Sequence, residues 1–133
     1  MCRDNSYGAL GLGNVPRYYP TPQHVNALDN KTVVKIVGGG KNVWEALCLK
    51  YIGYHTHCLT ATGEVWSAGY NGAGQCASHD FSISPLFAKA NLLPGLKTID
   101  LFASGFHTAG KKSSMNVSYL KFQVFSRQLL EFQ

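Results

Sequence analysis

From residue 33 to residue 69 apolar and polar positions alternate largely with a period of two, and glycines punctuate the alternation. That period places successive side chains on opposite faces of a strand. "VVKIV" (33–37) reads as a short β-branched strand, stopped by three glycines at 38–40. Residues 55–60 and 64–68 read as two strands flanking "ATG", a three-residue hairpin signal in which Gly63 suits positive φ. Gly69, Gly72 and Gly74 mark the next tight turn, and 97–103 repeats the first strand pattern. Residues 15–30, with Pro16, Pro20 and Pro22, read as an irregular connection. Residues 113–125, "SSMNVSYLKFQVF", alternate as a strand does. One stretch breaks the pattern: "KNVWEALCLKYI" (41–52) is spaced like a helix.

The pattern recurs. Aligning Asn5 with Asn71 aligns Gly8 with Gly74, an offset of 66. "VVKIVGGG" (33–40) aligns with "TIDLFASG" (98–105) at an offset of 65, matching Val34, Ile36 and Val37 to Ile99, Leu101 and Phe102. Pro22 and Pro85 hold similar places between these blocks. "GYHT" (53–56) returns as "GFHT" (105–108). In the second copy Gly105 both ends one piece and starts the next, whereas in the first copy Gly40 and Gly53 do so 13 positions apart. Without that interruption the first period is 53 residues. Several short strands in a repeat of this length predict blades of a β-propeller.

"NSYGALGLGN…VVKIVGGG" joined to "GYHTHCLTATGEVWSAGYNGAGQ" resembles the regulator of chromosome condensation repeat. The residues that carry the resemblance begin with Asn5, Gly8, Leu10, Gly11, Leu12 and Gly13. They continue through Pro22, Val25, Leu28, Val34, Ile36 and Gly40 to His55, Thr56, Leu59, Thr60, Gly63, Val65, Trp66 and Gly69. Asn71, Gly74, Gln75, Ile99, Gly105, His107 and Thr108 carry the second copy. The match covers 3–40 and 53–109, about two repeats, and departs at Cys76 and Ala77, where the pattern has Leu and Gly. The resemblance implies an all-β fold of four-stranded antiparallel blades, part of a seven-bladed propeller. It divides the chain into repeats over 1–109, interrupted at 41–52, and a non-repeat tail over 110–133. The matched residues are read as structural: glycines for sharp returns, apolar positions for packing, and each His-Thr pair to tie side chains to neighbouring turn backbone.

Composition supports an all-β chain, since only 14% of residues are charged and 14 of 133 are glycine. No apolar run reaches the length of a membrane span, and the first ten residues carry no apolar signal core, so a cytoplasmic or nuclear location is expected. Cys2, Cys48, Cys58 and Cys76 lack C-x-x-C spacing and read as free thiols, and the sequons at Asn30 and Asn116 carry no weight without export. The net charge of +5 hints at nucleic acid. Its location weakens the hint. Lys41, Lys50, Lys111, Lys112, Lys121 and Arg127 fall within 41–53 or 110–133, where the only acids are Glu45 and Glu131.

Candidate chemistry is sparse. His55 and His57 share one face of a strand and fit a metal pair. The recurrence of His55 as His107 favours a structural role, and no metal is assigned. "GFHTAGKK" (105–112) approaches the phosphate loop G-x-x-x-x-G-K-[ST], with Lys112 where the Mg²⁺-binding hydroxyl would stand; "GGGKN" (38–42) is weaker. Lys111 and Lys112 with Tyr119, Phe122 and Phe125 offer a basic-aromatic surface. "WEALCLKYI" could serve as a short partner-binding helix. No catalytic residue and no cofactor are assigned, and the expected class is non-enzymatic.

The expected partners are proteins. The resemblance implies guanine-nucleotide exchange on the Ran GTPase with chromatin binding, or a propeller module of a ubiquitin ligase. The other readings are a nucleotide-binding enzyme built on 105–112 and a nucleic-acid binder using the basic tail. Both departures from the repeat begin at Gly-Lys, at Gly40-Lys41 and Gly110-Lys111. Gly-Lys can be encoded GGT-AAG, which holds an intron donor, and Tyr51-Ile52-Gly53 can be encoded with the acceptor TATAG. Residues 41–52 and 111–133 are therefore expected to be translated intron, with a loop insertion on one propeller face as the rival for 41–52.

Overall fold

The computed structural model describes residues 5, 7–13, 19–40, 54–72, 74–78, 83–90, 97–103, 108–112 and 121–125. Seven strands run through the described residues. They are β1 (Val33–Gly39), β2 (His55–Thr60), β3 (Val65–Gly69), β4 (Ser84–Lys89), β5 (Thr98–Ala103), β6 (Thr108–Lys112) and β7 (Lys121–Phe125). One 3-10 turn, Asn26–Leu28, is the only helical element among them. The first sheet has the order β1-β2-β3-β4 and the second β5-β6-β7, and every pairing is antiparallel. The second sheet thus has three strands among the described residues where four are expected.

The strands read from the alternation are present, with small shifts at their ends. β1 extends through Gly39, because Gly38 and Gly39 still pair with Thr56 and His55. β4 is an addition: the sequence reading assigns no strand to 84–89. Pro85 argues against a central strand, yet it is tolerated on an edge, where its missing N–H interrupts no second ladder. Residues 108–125 supply two strands. β6 runs beyond position 109 to Lys112, and β7 lies within the alternating segment of the tail. The helix-like residues 41–52 lie outside the described residues.

The internal repeat is visible in the register. β1 shifts register between Val33 and Lys35, and β5 shifts between Thr98 and Asp100, so the same bulge recurs 65 residues later. Past the bulge, Ile36 pairs with Cys58 and Leu101 with Gly110. Gly38 pairs with Thr56 eighteen positions on, and the matching Ala103 pairs with Thr108 five positions on. The two hairpins differ by thirteen residues, all in the connection after β1.

Two apolar clusters form on opposite faces of the first sheet. Leu59, Val65, Ala90 and Leu101 make one, with Val37 and Ala77 against it, and it joins the two sheets. Leu101 has no exposed surface, and burying such a side chain stabilises by about 1.5–3 kcal/mol. Cys58, Ala68 and Phe87 make the other, covered by Val25, Ala27 and Leu28 of the proline-rich connection.

Candidate functional site

The densest set of chemistry-bearing side chains lies where the sheets meet. β2 carries His55 and His57 on the face toward β5 and β6, as the period of two requires. The His57 ring is held at both nitrogens: Nδ1 lies 2.6 Å from Ser67 Oγ on β3, and Nε2 lies 2.7 Å from Thr108 Oγ1 on β6. His55 Nε2 lies 3.2 Å from the same Thr108 oxygen, and the two rings meet edge to face at 5.0 Å. All four residues are buried, His57 and Thr108 completely.

Burial, and then the nearby His55, lower the His57 pKa to about 3, so the ring is neutral at physiological pH. A neutral imidazole donates from one nitrogen and accepts at the other, which Ser67 and Thr108 hydroxyls satisfy in either tautomer. The alternating histidines therefore hold a polar link between sheets. No group of three or more metal-ligating side chains occurs among the described residues.

The His-Thr pair differs from its expected use. Its tie runs from the histidines of one sheet to Thr108 of the next. Thr56, the counterpart of Thr108, lies half-buried on the opposite face of the first sheet, and His107 and Gly105 lie outside the described residues.

The two asparagine turns are copies of each other. Asn5 Oδ1 accepts from the N–H of Leu10 at 3.1 Å, and Asn71 Oδ1 accepts from Cys76 at 2.8 Å, each five residues on. Gly8 and Gly74 donate to the carbonyls of Asn5 and Asn71, and Gly11 and Ala77 donate to Gly8 and Gly74. Gly11 sits at φ 68°, and a β-carbon there would lie 2.1 Å from the Phe87 ring. Ala77 adopts φ 51° at the matching place. Gly13 donates to Pro85, which ties this turn to β4. Gly40 follows β1, Gly63 has φ 84° in the hairpin after Thr60, and Gly69 closes β3 opposite His55.

Sequence reasoning passed over Glu64. Its carboxylate accepts from Lys89 Nζ at 2.9 Å, Trp66 Nε1 at 3.1 Å and Lys31 Nζ at 3.4 Å. Lys89, then Trp66, lower its pKa to about 2. These partners come from three strands or connections, so no local spacing announces them. Cys58 and Cys76 are buried free thiols, and burial raises their pKa values to about 11 and about 12. Thr108–Lys112, the second half of the phosphate-loop candidate, forms a strand paired on both edges. A phosphate loop instead opens a helix whose N–H groups face the anion.

Comparison with known proteins agrees with this architecture. Residues 4–43 match the family model of the Regulator of chromosome condensation (RCC1) repeat. No curated protein matches the chain at a significant level. Among solved structures, human WBSCR16 is similar with a TM-score of 0.62 at 21% identity, over 90% of this chain and 27% of that one. The structure of Kap60 bound to yeast RCC1 (Prp20) is similar with a TM-score of 0.65 at 16% identity, over 92% of this chain and 27% of that one. The chain thus spans about a quarter of the length of either neighbour. Residues 4–43 thus match an RCC1 repeat, and the two antiparallel sheets have the fold of partial β-propeller blades.

Proposed function

We propose that the chain is a non-enzymatic propeller module that binds protein partners through the turns at the blade ends. One observation carries this reading. The described side chains best suited to catalysis, His55, His57, Cys58 and Cys76, are buried within the blades, and His57 is held on both ring nitrogens by hydroxyls. The similar chain set containing yeast RCC1 is itself a protein complex. The finer role we favour is binding of a small GTPase of the Ran class, with nucleotide exchange and chromatin contact as properties of a full ring. A ubiquitin-ligase propeller module is the second role that the repeat implies, and a nuclear or cytoplasmic location suits either. Among the described residues no helix is long and apolar enough to cross a membrane.

Titration of the chain against nucleotide-loaded and nucleotide-free Ran tests the finer role, with fluorescent nucleotide release as the second readout. Binding with preference for one nucleotide state supports it. Absence of binding in both states removes it. Titration with ATP and GTP separates the nucleotide-enzyme reading: binding that Lys111→Ala abolishes would restore that reading and overturn ours.

A further inference from the structure

We draw no further inference here: the strongest candidate, the apolar cavity of about 470 Å³ that Leu10, Leu12, Ile36, Cys58 and Phe87 line on the first blade, carries none, because nothing in the structure shows what covers it.

Discussion

Thr108 Oγ1 of the second blade sits 2.7 Å from His57 Nε2 of the first, inside a volume that excludes solvent. A hydroxyl of one repeat thus completes the hydrogen bonding of an imidazole in the repeat before it. Removing one partner of a buried pair leaves the other desolvated and unpaid, which costs about 1–3 kcal/mol. Thr108→Val keeps the shape and deletes the hydroxyl. It is expected to lower unfolding stability by that amount in urea titrations, and Thr108→Ser is expected to recover most of it. Equal stability of the Val variant and the parent would show that the link contributes nothing.

The same site predicts a pH dependence. The folded His57 pKa is depressed to about 3, while the unfolded ring titrates near 6.5. The unfolded state therefore binds a proton first as pH falls. Stability from this group is complete above about pH 6.5 and declines between there and pH 3, by about 1.4 kcal/mol per pH unit once the unfolded ring is protonated. Glu64, lowered to about 2, acts in a later window: its contribution is present above pH 4.5 and is lost as pH falls toward 2. Urea unfolding at pH 7, 6 and 5 checks the first window, because Glu64 is ionised in both states there. A His57→Gln variant is expected to show a flatter profile, and an unchanged slope would assign the effect to another group.

The paired turns give a prediction of opposite signs. Gly11→Ala forces a β-carbon into the Phe87 ring and strains a positive φ, so it is expected to cost at least about 1–2 kcal/mol. Ala77 already bears the φ strain at the matching position, at 51°. Ala77→Gly is expected to relieve it, for a gain of up to about 1 kcal/mol after the added chain entropy of the unfolded state is deducted. Thermal unfolding of both variants measures the pair of shifts.

Excision of residues 41–53 is expected to leave both blades folded. It joins Gly40 to Tyr54, and β1 and β2 already pair up to Gly39 and His55, so a two-residue hairpin connection remains. Shortening the connection from 15 residues to two lowers the loop-closure cost by about 2 kcal/mol. Amide exchange on β1 and β2 should then be as slow as in the parent, or slower. Rapid exchange there would show that the segment supports the blade. Whether 41–52 and 111–133 are translated intron is a separate proposal, and a mature message that keeps their codons would refute it.

Strands were legible in the sequence because their period of two is local. β1, β2, β3 and β5 all follow it. β4 was not, since Pro85 removes a donor and only an edge position makes that harmless. Burial was less legible than strand placement. Ile36 and Leu101 hold the same repeat position and read alike, yet one is exposed and the other enclosed. The difference lies in which neighbour each meets, a property of assembly that no window of sequence contains. The recurrence of His55 as His107 gave the histidines a structural reading, but their tie to Thr108 spans 51 residues or more and was not visible locally. The Glu64 cluster was missed for the same reason, as Lys31 lies 33 residues away and Lys89 lies 25 away.

The two repeats form adjoining blades in direct contact. Nuclear Overhauser contacts between the His57 ring and the Thr108 methyl, and between the Leu59 and Leu101 methyls, test it most directly. Both sets of cross-peaks are expected in the folded chain, because hydrogen-bonded and core-packed partners place these protons close together. Cross-peaks within each blade but none between them would contradict it.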